Sequence, residues 1–357
     1  MSGSQKPRLH PMTNRLSRRQ ALAALAGAGA VAAMPSSARA CSRVFWNDNK
    51  VKLVGRTLDW SRHFNEEMWA LPAGMERSGR VPDNAATWSS RYASLIIAGL
   101  GICTEEGINE KGLVVSLLFL DGTQYETRNS KRPGIAFYQW PQFYLDNYST
   151  VNEVIANLDQ VQIVNTGLGD EYPNGLPLHV ALADRDGQSA IIEFIKGEPT
   201  IHFGRQYQVM TNEPAYDQQV ANLLRYKWFG GTIDQLPGGI QADERFVRAA
   251  YTLKYLPKTD DPAQAAASMM SLMNNVSVPF GSPYSGVSGT YPTWYRSIID
   301  PDSRRYYVQT AITPGTFWVD MDKLDLKPGA AARKLPIFDP DLVGEVGAAF
   351  KDGKPSV

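Results

Sequence analysis

Hydrophobic and polar positions divide the chain into three zones. The first 40 residues hold a basic stretch, then an apolar Ala/Gly/Leu run ending at Met34, then Pro35 and small residues. From residue 42 onward, short apolar runs rich in β-formers are separated by polar turns. Residues 42–46 and 51–60 predict two strands around the turn-like Asn47-Asp48-Asn49-Lys50. Residues 61–90 are polar and irregular, with Pro, Gly and Ser. Residues 92–104 and 112–120 predict a second hairpin about the turn at Asn109-Glu110-Lys111-Gly112. Residues 121–135 read as loop.

The middle zone turns helical. Residues 137–148 carry a helical pattern. Thr150-x-x-Glu153 is a capping box in front of a helix over 151–158. A third hairpin intervenes, its strands at 178–183 and 189–195 flanking Asp184-Arg185-Asp186-Gly187, since Asp-Gly favours the tight hairpin turns. Residues 200–210 add strand character up to Thr211-Asn212-Glu213-Pro214. Helical patterns follow at 217–229, 243–256 and 262–274, punctuated by Gly230-Gly231 and Pro237-Gly238-Gly239. Strands return at 293–299, 305–310 and 316–321, and residues 322–357 read as a partly ordered polar tail. Strands, then helices, then strands give an α+β fold with segregated layers rather than alternating βαβ units. No repeat or linker splits residues 41–357, which read as a single domain.

Charge narrows the function classes. Lys+Arg and Asp+Glu both number 36, so no bulk field draws nucleic acid or an anionic membrane to the protein. Two cysteines exclude a disulfide framework and a cysteine-rich metal site. No His/Cys metal spacing, phosphate loop or Ser/His/Asp pattern stands out, so no metal or cofactor is expected. The four histidines carry no catalytic signal, and His179 reads as structural. Asp300-x-Asp302 and Asp320-x-Asp322 read as solvated turns, calcium ligation being the remote alternative. No segment is long and apolar enough to span a membrane.

The chemistry concentrates at one junction. Ser17-Arg18-Arg19-Gln20 before a weakly hydrophobic run suggests twin-arginine export, which makes residues 1–40 a cleaved signal peptide and the mature protein periplasmic. Ala38-Arg39-Ala40 is a small-residue cleavage site, and a cut behind Ala40 would leave Cys41 with a free α-amine. A terminal amine has a pKa of about 8 and can take the proton of its own thiol. Cys41 is therefore a candidate nucleophile for attack on an amide carbonyl. Three other readings stand beside it: half of a disulfide with Cys103, the lipidated cysteine of an exported, non-catalytic binding protein, or a buried thiol near the cut by chance. A hairpin over 42–60 would bring Arg56 and Asp59 back beside the N-terminus.

Cys41 at a cleavage site, Gly55-Arg56-Thr57-Leu58-Asp59, Asn109-Glu110-Lys111-Gly112-Leu113, Thr211-Asn212-Glu213-Pro214 and Arg245-Phe246-Val247-Arg248 occur in that order. Together they resemble the choloylglycine hydrolase family, which includes bile salt hydrolases and penicillin V acylases, from Cys41 to about Met321. The resemblance implies a four-layered αββα sandwich of the N-terminal-nucleophile hydrolase type, and hydrolysis of a linear amide in a small-molecule substrate without metal or cofactor. It implies Cys41 as nucleophile, Arg56 favouring thiolate, Asp59 orienting the terminal ammonium, Asn212 as oxyanion donor and Arg245 as a second cation near the thiol, with Arg248 as the alternative. Phe119 falls where bile salt hydrolases carry Asn and several penicillin V acylases Tyr. An aromatic without a hydroxyl leans away from bile salts. Trp60, Trp69, Trp140 and Phe119 are candidate walls of an acyl pocket. The segment between Asn212 and Arg245 is shorter than in Gram-positive members, where an extra loop reaches a neighbouring subunit, so the implied homo-oligomer stays open. These features resemble the Gram-negative branch, with penicillin V acylase as the expected activity and N-acyl homoserine lactone acylase or bile salt hydrolase as alternatives.

Overall fold

The computed structural model describes residues 40–226, 236–284 and 289–357. The expected signal peptide and cleavage motif up to Arg39, the Gly230-Gly231 break and the end of the 217–229 helical pattern lie outside the described residues. In chain order the strands are β1 (Ala40–Trp46), β2 (Leu53–Asp59), β3 (Glu67–Leu71), β4 (Glu76–Ser78), β5 (Thr87–Ser89), β6 (Ser94–Gly99), β7 (Cys103–Asn109), β8 (Val114–Phe119), β9 (Gly134–Ala136) and β10 (Gln162–Val164). They continue as β11 (Leu178–Ala183), β12 (Ser189–Ile195), β13 (Glu198–Phe203), β14 (Val209–Met210), β15 (Thr293–Asp300), β16 (Arg305–Thr310), β17 (Phe317–Asp320), β18 (Arg333–Pro336), β19 (Gly344–Glu345) and β20 (Lys351–Asp352). The helices are α1 (Trp140–Asn147), α2 (Val151–Ala156), α3 (Tyr216–Leu223), α4 (Ala242–Tyr255) and α5 (Pro262–Asn275).

Two large sheets form the centre. One runs β14-β1-β2-β15-β16-β17-β19, the other β13-β12-β11-β8-β7-β6-β3-β18-β20. Successive strand residues point to opposite faces, and in the second sheet both faces are apolar. Leu95 and Ile97 of β6 join one core with the first sheet, α4 and α5, while Ile96 and Ala98 join another with α1 and α2. Each sheet is thus covered on its outer face by helices, giving the α/β/β/α stack of an α+β sandwich. This double cover is why β2, β6, β7, β8 and β11 are buried along their whole length.

Local chemistry explains the hairpins. Asp184 Oδ1 accepts hydrogen bonds from the backbone N–H of Asp186 and Gln188, both at 3.0 Å, and Gly187 takes φ +82°. Asn109 Oδ1 accepts from Lys111 and Leu113 N–H, both at 3.1 Å, while its Nδ2 donates to the carbonyls of Leu145 and Tyr148 at the end of α1. The Asn109-Glu110-Lys111-Gly112 stretch therefore fastens a turn to a helix. Thr150 caps α2 by accepting from Glu153 N–H, while the Glu153 carboxylate reaches back to Ser149 N–H at 2.7 Å.

Three expectations need correction. The polar stretch 61–90 contains β3, β4 and β5. The run 92–104 is two strands, because Leu100 (φ +55°) and Gly101 (φ +71°) make a left-handed turn between β6 and β7. Residues 322–357 form no loose tail: β18 pairs with β3 and β20, and Phe350 and Val357 are buried. These short strands at the margin of the sheet carry Lys, Arg, Asp and Pro and so look like loop.

Gly55 in β2 lies directly against α5. A Cβ there would meet the Met273 sulfur at 2.6 Å and the Met269 sulfur at 2.9 Å. Gly55→Val should therefore lower the unfolding free energy by about 2 kcal/mol, the scale of overpacking a core. Urea unfolding would check this. An unchanged midpoint would mean that the methionine side chains give way without cost.

Candidate active site

The β1–β2 hairpin divides the site between its two faces. Cys41 pairs with Leu58 and Arg43 with Arg56, while Ser42 pairs with Thr57. Cys41, Arg56 and Leu58 line a cavity that opens to solvent, together with Trp60, Phe64, Leu100, Cys103, Glu105, Leu117, Leu118, Phe119, Leu176 and Leu178. Ser42, Thr57 and Asp59 face the opposite way, toward α4. Pleating alone produces this division.

Arg245 of α4 knits the second face together. Its Nη1 donates to the Cys41 carbonyl at 2.7 Å and to Ser42 Oγ at 2.6 Å, and its Nη2 donates to Asn212 Oδ1 at 2.7 Å. The same Nη1 lies 3.8 Å from Asp59 Oδ2. Asp59 also accepts from Thr57 Oγ1 at 3.1 Å and Thr293 Oγ1 at 2.5 Å. Asn212 Oδ1 accepts the backbone N–H of Cys41 at 2.7 Å, and its Nδ2 donates to the Phe119 carbonyl at 2.7 Å. Two donors on Oδ1 fix the orientation of this amide, and among the described residues one Nδ2 hydrogen is left over. Arg248, one turn along, donates instead to the carbonyls of Pro237, Gly239 and Asn275. Arg245 is thus the arginine that reaches Cys41.

Charge and burial act against each other here. Burial pushes the Cys41 thiol up to about 12; Arg56 and Arg245 pull it down and Asp59 pushes it up. Burial also raises the Asp59 carboxyl to about 6, against the pull of Arg245. The Cys41 Sγ lies 4.0 Å from the Asp59 carbonyl. Arg56 donates from Nη1 to Tyr295 Oη and from Nη2 to the Leu117 carbonyl at 3.1 Å. It stands 3.6 Å from Glu106 and 3.8 Å from Glu105.

The residues singled out in the sequence therefore converge: Cys41, Arg56, Asp59, Asn212 and Arg245 surround one residue, and Trp60 and Phe119 line its cavity. Trp69 and Trp140 do not. Trp69 lies under Lys334 and Gly353, and Trp140 lines a separate cavity with Tyr144, Ile163 and Phe194. Cys41 and Cys103 are both free thiols, so the disulfide alternative is not realised. His179 bridges Glu193 and the Thr211 carbonyl, at 3.2 and 3.0 Å, a structural tie next to Asn212. Asp300 is buried and caps the β15–β16 turn, while Asp302, Asp320 and Asp322 pair with lysine and arginine side chains. Among the described residues no His/Cys/Asp/Glu group could hold a metal ion, and no helix is long and apolar enough to cross a membrane. Sequence reading missed Glu105, Tyr295 and Thr293. Glu105-Glu106, two acids inside an apolar run, was the available signal.

The sequence pattern described as "Linear amide C-N hydrolases, choloylglycine hydrolase family" matches residues 41–338. The chain belongs to the choloylglycine hydrolase family. A relative named penicillin V acylase, from Pectobacterium atrosepticum, is 32% identical over 88% of this chain and 91% of its own. The solved structure of penicillin V acylase from Agrobacterium tumefaciens superposes with a TM-score of 0.80 at 36% identity, covering 88% of this chain and 98% of that one. A bile salt hydrolase/transferase of Clostridium perfringens is more distant, 26% identical over 77% of this chain and 90% of its own. As in this family generally, the chain is a linear amide hydrolase, and among these relatives it is most similar to the penicillin V acylases.

Proposed function

We propose that the protein is a periplasmic cysteine amidohydrolase of the penicillin V acylase type, exported by the twin-arginine route and matured by a cut behind Ala40. The observation that carries this reading is that the Cys41 nitrogen, carbonyl and sulfur are all addressed by the same few polar groups, at the wall of an apolar cavity. Before the cut the nitrogen is an amide and cannot accept a proton, and burial keeps the thiol protonated. After the cut the α-amine, near pKa 8, takes the thiol proton. The thiolate attacks the amide carbonyl. Arg56 stabilises the thiolate, and Asp59 and Asn212 Oδ1 hold the resulting ammonium. The second Nδ2 hydrogen of Asn212 meets the oxyanion, a contact of the kind worth roughly 10²-fold in rate. The ammonium then protonates the leaving amine, and water, with the amine again as base, cleaves the thioester.

Substrate choice follows from the cavity. Its wall is Leu, Phe and Trp around few polar groups, so acyl-chain burial supplies selectivity at roughly 0.8 kcal/mol per methylene. Phe119 lines the cavity and offers only its carbonyl to Asn212. We expect aromatic or medium-chain acyl amides over glycine-conjugated bile salts. Two measurements test the proposal. Intact mass of the exported protein should show a free Cys41 at the N-terminus; a diacylglycerol adduct would favour the lipoprotein reading. A panel of penicillin V, decanoyl homoserine lactone and glycocholate should rank glycocholate last. Glycocholate cleaved fastest would overturn the substrate assignment and leave the Cys41 chemistry standing.

A further inference from the structure

Among the described residues one carboxyl group lines the acyl cavity, that of Glu105 on β7. Its placement is built rather than incidental. Oε1 occupies the space above Gly99 in β6 where any side chain would go: a Cβ at Gly99 would lie 2.2 Å from it. Oε2 is held at 2.9 Å by the Tyr295 hydroxyl. Arg56 donates to the Tyr295 hydroxyl, which in turn donates to Glu105. Glu105 Oε2 is therefore an acceptor, and any proton on the carboxyl sits on Oε1. Among the described residues no hydrogen bond reaches Oε1.

The neighbourhood favours that proton. Glu105 is largely buried, and Glu66 and Glu106 add negative charge that Arg56 opposes; together these hold the carboxyl up at about 8. Cys103 is the other titratable group beside it, and its thiol is raised further by burial and by Glu105. Near neutral pH Glu105 is then a neutral acid presenting an O–H at Oε1, in a wall that is apolar apart from Cys41, Cys103 and Arg56.

We propose that Glu105 is a specificity-determining residue that donates a hydrogen bond to an oxygen carried by the acyl chain, so that the cavity selects ether, keto or hydroxy acyl groups over all-carbon chains. This rests on the amide-hydrolase reading above. A buried donor left without an acceptor loses its hydrogen bond to water, so an all-carbon chain passing Oε1 leaves that loss uncompensated. A chain oxygen at the right depth removes it.

An oxygen scan tests this. Decanoyl amides of 6-aminopenicillanic acid are prepared with one methylene replaced by oxygen at successive positions, and kcat/KM is measured near pH 7. At positions away from Glu105 each replacement should lower kcat/KM roughly fourfold, the worth of one buried methylene. At the position facing Glu105 the value should equal or exceed that of the all-carbon amide. The maximum should vanish in Glu105→Leu, survive in Glu105→Gln, whose amide still donates, and fade in the wild type above about pH 8 as the carboxyl ionises. Comparing ratios within each variant removes any general effect on Arg56. If the wild type hydrolysed the all-carbon amide but showed no maximum, or if Glu105→Leu kept it, this inference would fall alone. If no member of the series were hydrolysed, the amide-hydrolase reading would fall and take the inference with it.

Discussion

Cys41→Ala should fold as the parent does and hydrolyse none of its amides, with kcat reduced by at least about 10⁴-fold, the scale seen when a catalytic nucleophile is removed. The substitution deletes one buried sulfur and leaves the backbone groups of residue 41 in place. Those backbone groups, not the thiol, carry the hydrogen bonds to Asn212 and Arg245. The fold should therefore be retained, which circular dichroism and the urea midpoint would confirm. Cys41→Ser should keep the fold with little activity, since a hydroxyl is far harder to deprotonate than a thiol. Turnover by Cys41→Ala at wild-type rates would remove the mechanism.

Arg245→Met should have the largest effect on stability, about 3–5 kcal/mol, the scale for removing one partner of a buried ion pair. It strands the Asp59 carboxylate, the Cys41 carbonyl and half of Asn212 Oδ1 in a site from which water is excluded. Lysine should not restore the wild type, because an ammonium cannot reproduce the planar fork that reaches Cys41, Ser42 and Asn212 together. The loss should depend on pH. Asp59 already titrates above its ordinary value, at about 6, with Arg245 pulling it down; without Arg245 it rises further. A carboxyl raised in the folded state contributes stability that is present below its unfolded pKa and lost as pH rises through the folded value. The variant's deficit should therefore be smaller near pH 4, where Asp59 is neutral and only the stranded Cys41 and Asn212 oxygens remain, than near pH 8. Urea midpoints at both values would show it. An equal deficit at both would mean that the damage is packing rather than charge.

Local signals carried much of this architecture and long-range ones did not. Asp184-Arg185-Asp186-Gly187 encodes its turn in four neighbouring residues, and β11 and β12 were legible to the residue. The turn at Leu100 and Gly101 was not, because a leucine in the left-handed region has no sequence signature. β18 exists only because β3, more than 250 residues earlier, offers it an edge. The site shows the same division. Cys41, Arg56 and Asp59 lie on one hairpin, so register alone relates them. Tyr295 meets Arg56 only when β15, far along the chain, pairs with β2, and Glu105 only when the two sheets are stacked. Trp69 and Trp140 failed as cavity walls because composition cannot tell which face of a layer a tryptophan occupies.

The two-faced hairpin also bears on how such a protein can diverge. Leu58, Leu117, Phe119 and Leu178 line the cavity proposed for the acyl chain, whereas Thr57, Asp59, Asn212 and Arg245 hold one another and Cys41. Arg56 borders both sets, and the Asn212 hydrogen bond to the Phe119 carbonyl joins them through backbone rather than through the side chain that lines the cavity. Drift on the first set can retune what is bound without disturbing how it is cut. Lineages of one ancestor can then part company over substrates while their chemistry stays fixed.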